Sequence, residues 1–519
     1  MLDEGFDPPH ITGYIKQMDC SAMTRRLICL LIVLASFFAM PTRAATPDGF
    51  SLLAAGGAGG WLNVTRPLTV DDMQGRLVLL DFWTYGCINC IQVIPDLEYL
   101  EEKYGDQLLI LGVHSAKFDG EKGNARILSA AKRFGLKHPV INDSDYRIWK
   151  SYQVGAWPTL ILLDSTGREV NRYTGEGNRA AMDRDIEKAA AGQPAPVALE
   201  SLIAQDDHSS ILSFPARISA GDQMLFIADA GHNRILGVGL DGKIQFVIGS
   251  GARGDRDGAL YEATFNQPRG LVYTQSGLYI ADTGNHKIRR VDLKSGQVTT
   301  VAGTGVRGRI REGVDLPGAT TAIASPWDLE DMGDGRHLAI AMAGIHQIWT
   351  LDTLNNTVSV TAGNGREDIV DGPAGRAEIA QTSGLSRSGD ALFFVDAESS
   401  ALRVFKDNAV TTLIGTGLFD FGNRDGVYPE ARLQHPQGLY ADEAKIIVAD
   451  TYNNALRIYD RKARNLSTLT LTGAALNEPG DVFLYQGVLY VVDTNHHDIK
   501  KVNIQTGAVT AFTIRDIKK

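Results

Sequence analysis

The chain predicts a multidomain protein, an α/β domain followed by an all-β propeller of six blades. From about residue 78 to residue 173, short apolar runs alternate with helical patterns, as in a layered α/β sheet. From about residue 209 onward a unit recurs at spacings of 43 to 60 residues, each an apolar strand closed by a polar turn, which is the period of propeller blades. Size and composition agree. A chain of 519 residues exceeds what one core serves, and its 55 glycines, without a collagen period, suit many tight turns.

The first element is a leader. Arg25-Arg26 precede the apolar run Leu27 to Met40, and Pro41-Thr42-Arg43-Ala44-Ala45 follow, the order of charge, hydrophobe and small residues found in secretory signals. Cleavage is expected after Ala44 or Ala45, with Met23 as an alternative start. Residues 1–44 are thus read as an upstream extension and signal peptide, and 45–61 as a lead-in. The apolar run is shorter than the ~20 residues of a spanning helix. The expectation is a periplasmic or otherwise extracytoplasmic protein with no stable membrane span after cleavage, and Cys20 and Cys29 leave with the leader. A net charge of -10 supplies no basic field and argues against nucleic acid as a partner.

Residues 62–190 form the α/β domain. Val78 to Trp83 is a nearly continuous apolar run, as in a parallel strand covered on both faces. It leads into Cys87-Ile88-Asn89-Cys90 where a helix begins. A thiol in a first helical turn faces unsatisfied backbone N–H groups and the positive end of the dipole, both of which favour the thiolate. Two intervening residues bring the second sulfur close enough to resolve a mixed disulfide. Ile91, Ile94, Leu97 and Leu100 continue at helical spacing to Tyr104, with Pro95 expected to kink the helix. Then come a strand at Leu108–Val113, a helix at Glu121–Phe134, a short strand at His138–Ile141, a helix at Asp145–Tyr152, and a hairpin of Thr159–Leu163 with Glu169–Tyr173. A zinc half-site would need a second cysteine pair, which the chain lacks, and a structural disulfide closing so small a loop contributes little. Asp81 reads either as a proton-handling carboxylate or as a hydrogen-bonded core acid, and His114 and His138 read as strand-end or turn residues.

Asp81-Phe82-Trp83, the Cys87–Cys90 dithiol and Trp157-Pro158-Thr159 together resemble the thioredoxin superfamily, in its extracytoplasmic branch, over about 130 residues. The resemblance implies Cys87 as attacking thiolate, Cys90 as resolving thiol, and Asp81 as the carboxylate that shuttles the Cys90 proton, its pKa raised by desolvation. It implies a cis peptide before Pro158 and places Trp157, Pro158 and Trp83 at the substrate. No bound cofactor is expected beyond the redox-active disulfide Cys87–Cys90, and an external dithiol partner resets it. Gly86 stands where many thioredoxins carry tryptophan, which implies a more open surface and an attacking sulfur exposed to solvent.

Residues 191–208, with Pro194-Ala195-Pro196, read as a linker. Beyond it, Leu225–Asp229, Leu278–Asp282, Leu392–Asp396, Ile446–Asp450 and Leu489–Asp493 are copies of one strand, and Leu338–Met342 is a degenerate sixth. Inner strands begin near proline, as at Pro268 and Pro436, and outer strands end near glycine, as at Gly303 and Gly415. Asp282 to Arg289 and Asp450 to Arg457 resemble the NHL repeat, which implies a six-bladed NHL propeller over 209–519. An aspartate needed once per blade is turn and fold chemistry rather than catalysis. His232, His286, His346 and His496 could hold a metal only by converging, and no metal is expected. The long connections Gly251–Gly258 and Gly417–Gly426, with related segments after Gly305 and Gly365, should share one face. That rim is expected to bind a protein partner or the thioredoxin-like domain itself. The functional expectation is a thiol–disulfide oxidoreductase acting on protein thiols and disulfides, with the propeller as partner-binding module. The alternative is a non-catalytic propeller scaffold carrying a vestigial or structural thioredoxin-like domain.

Overall fold

The computed structural model describes residues 49–192, 210–309 and 312–516. The expected signal and all but two residues of the expected linker lie outside them.

The first domain is a six-stranded sheet in the order β1-β4-β3-β2-β5-β6, with β1 at Gly60–Leu62, β2 at Leu77–Trp83, β3 at Leu108–His114, β4 at Val140–Asn142, β5 at Thr159–Leu163 and β6 at Glu169–Thr174. Its helices are α1 (Gly49–Ala54), α2 (Val70–Met73), α3 (Ile88–Ile91), α4 (Ile94–Tyr104), α5 (Asn124–Arg133), α6 (Arg147–Ser151) and α7 (Arg179–Ala190). Strand β2 runs parallel to β3 and antiparallel to β5. Every residue of β2 is buried because each face has its own helical layer. Leu77 and Leu79 pack with Leu97 of α4 and Ile186 of α7, whereas Val78, Leu80 and Phe82 pack with Phe50 of α1 and Ile148 of α6.

Three sequence expectations are corrected here. The lead-in belongs to the domain, since α1 enters the core and β1 pairs with β4 as an edge strand. Pro95 does not kink a continuous helix. Helix α3 ends at Ile91 and α4 restarts at Ile94 with Pro95 in its first turn, where no N–H is needed. The helix expected from Glu121 begins at Asn124, after a 3₁₀ turn at Asp119–Glu121.

Six sheets form the propeller, antiparallel throughout except for the two-residue outermost strand of the last blade, which pairs parallel. Their inner strands, Pro215–Gly221, Pro268–Thr274, Pro326–Asp331, Thr382–Ser388, Gly438–Ala441 and Pro479–Tyr485, pack each on the next and the last on the first. Where four-stranded blades are expected, five of the six carry a fifth outermost strand of two residues. In the first blade the C-terminal segment reaches that edge, with Arg515 bridging Lys243.

The blade aspartates Asp229, Asp282, Asp396, Asp450 and Asp493 are fully buried and bind the chain just before their inner strands. They accept N–H bonds from Ser213 (2.6 Å), Asn266 (2.9 Å), Gln381 (2.6 Å), Gln434 (2.7 Å) and Asn477 (2.7 Å). In the second, fourth and fifth blades an arginine seven residues later joins this carboxylate to another on the preceding long connection. Arg289 lies 2.7 Å from Asp282 and 2.7 Å from Asp257, and Arg457 lies 2.7 Å from Asp450 and 2.6 Å from Asp425. The degenerate third blade places Met342 and Trp349 at these two positions, a buried apolar pair instead of an ionic one. The turn residue four beyond each of these positions, Asn233, His286, His346, Ser400, Asn454 and His497, is left-handed with φ of 50 to 58°. The turn histidines bond locally: His232 to Asp229 at 2.9 Å, His496 to Asp493 at 2.8 Å, His286 accepting the Ser325 N–H at 3.0 Å, and His346 to the Ala380 carbonyl. Among the described residues no His/Cys/Asp/Glu cluster could hold a metal, and no helix is long and apolar enough to cross a membrane.

Candidate active site at the domain interface

Strand β2 delivers the chain to the turn Thr84-Tyr85-Gly86, and Cys87 caps α3 with extended backbone. Both cysteines are free and buried, Cys87 at 6% exposure and Cys90 at 3%. Burial pushes the Cys90 thiol well above its ordinary range, reinforced by its hydrogen bond to Cys87 and by the charges of Cys87 and Asp81. Asp81, also buried, is raised to about 7 by desolvation, opposed by His138. Its Oδ1 has no hydrogen-bond partner, so this oxygen is available to a proton. The Trp157–Pro158 peptide is cis, and Trp157 packs in the same apolar cluster as both cysteines. The structure therefore brings Cys87, Cys90, Asp81 and Trp157-Pro158 to one place.

Trp83 shares the apolar cluster but offers nothing to a substrate. At 1% exposure it lies edge-on to His114, with ring centroids 5.1 Å apart, and is a core residue rather than a substrate contact. A side chain at the last position of a fully covered strand has no route to the surface. His114 is itself buried, driven down to about 3 by desolvation and therefore neutral. His138 bonds Glu101 at 2.9 Å.

The larger correction concerns Gly86 and solvent. The Cys87 sulfur, expected to be open, is buried, because the propeller covers the dithiol loop. A Cβ on Gly86 would lie 2.9 Å from Glu121 Oε1, His435 Cε1 and the Tyr452 hydroxyl, so glycine makes room for another domain instead of exposing a surface. Ile88 inserts into a propeller cluster with Trp327 and Ala343. Its N–H donates to Gln381 Oε1 at 2.9 Å, and Gln381 Nε2 donates to the Gly86 carbonyl at 3.1 Å. One propeller glutamine thus grips the loop on both sides of Cys87.

Gln381 belongs to a ring of equivalent positions, one per blade, at the approach to each inner strand. Gln267 donates to the Arg133 carbonyl at 3.3 Å, Ser325 accepts from Gln92 at 3.0 Å, and Glu478 accepts from the Tyr85 hydroxyl at 2.9 Å while pairing with Arg133 at 3.4 Å. His435 packs on Phe118 and stacks on Tyr452, with centroids 5.1 and 4.3 Å apart. The first blade offers Phe214. Sequence reading missed this ring because its side chains share no common type. Counting back 15 residues from each blade aspartate would have found Phe214, Gln267, Gln381, His435 and Glu478.

The rim loops meet the same domain. Arg253 pairs with Glu98 at 2.9 Å, Arg307 with Glu176 at 3.4 Å, Glu367 accepts from Asn89 at 3.4 Å, and Phe421 packs on Phe118 at 4.8 Å. Of the two occupants expected for the rim, the thioredoxin-like domain is the one in place. Glu121, also missed, is fully buried beneath the loop and accepts N–H bonds from Gly86 (2.9 Å), Lys117 (2.9 Å) and Phe118 (3.0 Å). Desolvation nevertheless raises it to about 7.

Comparison with known proteins agrees with this architecture. A thioredoxin-like family model matches residues 75–169. NHL repeat-containing protein 2 of Bos taurus is 39% identical over 510 residues, covering 88% of this chain and 70% of that protein. The Arabidopsis thaliana protein SUPPRESSOR OF QUENCHING 1, chloroplastic, is 36% identical over 499 residues, covering 88% of this chain and 47% of its own length. Over the first domain alone, the thiol-disulfide oxidoreductase ResA of Bacillus thuringiensis (strain Al Hakam) is 28% identical over 123 residues, covering 24% of this chain and 69% of its own.

Proposed function

The chain belongs to the family of NHL repeat-containing protein 2, and from that premise we propose an extracytoplasmic thiol–disulfide oxidoreductase whose Cys87–Cys90 dithiol is screened by its own propeller. The observation that carries this reading is a pair of free, buried sulfurs at the start of a helix, in one cluster with Trp157 and beside a buried carboxylate raised to about 7. In the reducing direction, Cys87 thiolate attacks a substrate disulfide and expels one substrate thiolate. Asp81 then accepts the Cys90 proton, Cys90 thiolate attacks the Cys87 sulfur of the mixed disulfide, and the second substrate group departs as a thiolate that takes the proton back from Asp81. The substrate gains two electrons and the protein is left as a disulfide, to be reset by an external dithiol. Trp157-Pro158 offers backbone beside Cys87 for a docked segment. The screening restricts substrates to low-molecular-weight disulfides or to a single thin segment of a protein.

Burial of Cys87 favours the second reading, a scaffold whose dithiol is structural. The two separate with Cys90→Ser protein and a small aromatic disulfide. The redox reading expects a mixed disulfide on Cys87 that excess dithiol releases, and none with Cys87→Ser. If the folded Cys90→Ser protein forms no adduct, the scaffold reading stands.

A further inference from the structure

Between the dithiol loop and the propeller axis lies a cavity with about 40 Å³ open to the centres of water-sized spheres, walled above by Tyr85, Gly86 and Arg133 and below by Gln267, Arg269 and Trp327. At roughly 10–15 Å³ of such volume per water, it has room for about three waters or one small oxyanion. Three arginines converge on it, and two are compensated. Arg217 closes the axis, 3.5 Å from Asp328 and 4.0 Å from Asp481, and donates to the Gly480 carbonyl at 2.6 Å. Arg133 pairs with Glu478 at 3.4 Å. Arg269 has only the face of Trp327, 4.0 Å from its guanidinium carbon, and among the described residues no carboxylate, carbonyl or amide accepts from it.

A guanidinium cannot shed its proton at any ordinary pH, and half-buried Arg269 has no carboxylate beside it to balance its charge. Stacking on an indole satisfies the ring face but leaves the five N–H donors in the plane without a protein acceptor and within reach of an anion entering the cavity. Gln437, also in the wall, turns its amide oxygen to the Trp327 N–H at 3.0 Å, which leaves its amide nitrogen as a further donor. Donors without acceptors, one uncompensated positive charge and a small interdomain volume define the complement. We propose that this interdomain cavity is an oxyanion site, in which Arg269 takes a carboxylate, phosphate or sulfate group in its planar fork and thereby completes the charge balance of the domain dock.

The test uses the full chain in chloride-free buffer, with inorganic phosphate, sulfate and acetate as separate probes and melting temperature as readout. The wild type is expected to rise saturably with at least one probe, and the lowest midpoint distinguishes a carboxylate site from a phosphate or sulfate site. Arg269→Met, which removes the uncompensated charge, should melt above the wild type without anion and gain nothing from the best probe. Arg269→Lys, which keeps the charge but loses the fork, should need at least tenfold more of it. A wild type that does not saturate with any probe, or an Arg269→Met protein that saturates at the same midpoint, overturns the proposal. Repeating the titration with Cys87→Ser keeps the result independent of the redox reading.

Discussion

Asp81 and Glu121 are two carboxylates that desolvation drives to about 7 beside the same dithiol loop, yet they are wired differently. Glu121 spends its oxygens on backbone N–H groups and holds the loop, whereas Asp81 keeps one oxygen free. Because the folded pKa of Asp81 lies above its unfolded value, its contribution to stability is full below about pH 4 and is lost as pH rises through 7. Asp81→Asn removes that dependence. Relative to this variant, the reduced wild type should lose on the order of 4 kcal/mol between pH 4 and pH 9 in urea unfolding, from about three pKa units at 1.4 kcal/mol each. The same variant should slow resolution of a Cys87 mixed disulfide by about a hundredfold in stopped-flow, as expected on losing a general base. Gly86→Ala is the complementary probe, since its methyl meets three atoms at 2.9 Å. It should lower stability by about 1–3 kcal/mol and speed alkylation of Cys87 as the propeller is pushed back.

At the scale of the element, the blade shows two solutions to one packing problem. Asp450 and Arg457 form a fully buried ion pair, and the third blade solves the same position with Met342 and Trp349. Removing one ion partner strands the other, whereas replacing both with packed hydrophobes is often neutral. Asp450→Ala should therefore cost about 3 kcal/mol in chemical unfolding, the lower end for such pairs because Arg457 retains Asp425. The double change Asp450→Met with Arg457→Trp should recover most of that loss, and a double variant no better than the single would refute the equivalence of the blades. These elements were legible from sequence because a strand or a turn is written in contiguous residues. The aspartate, the left-handed residue four beyond it and the period of the blades are all local patterns. The break before Pro95, the late start of α5 and the fifth strands were not legible, since each depends on what packs against the segment rather than on its own residues.

For the whole molecule, the decisive feature is that the dithiol loop is a domain contact. Ile88 is an apolar anchor in the propeller and Gln381 grips the backbone beside it. The two domains should unfold as one calorimetric transition, and Ile88→Ser with Gln381→Ala should split it into two and raise the rate at which Cys87 reacts with a small disulfide. A single unchanged transition and unchanged reactivity would show that the contact does not couple the domains. Taken alone, the chain's residues determined an α/β domain with a Cys-x-x-Cys helix start and a six-bladed repeat domain, because hydrophobic period, turn chemistry and motif spacing act over a few residues, whereas the cis peptide at Pro158 was implied only by the family resemblance. Only the tertiary structure decided that Gly86 receives the propeller instead of solvent, that Trp83 is core, and which propeller residues meet the dithiol loop. Those outcomes rest on contacts such as Ile88 to Gln381 and Tyr85 to Glu478, 293 and 393 residues apart, which exist only once the ring of blades has closed.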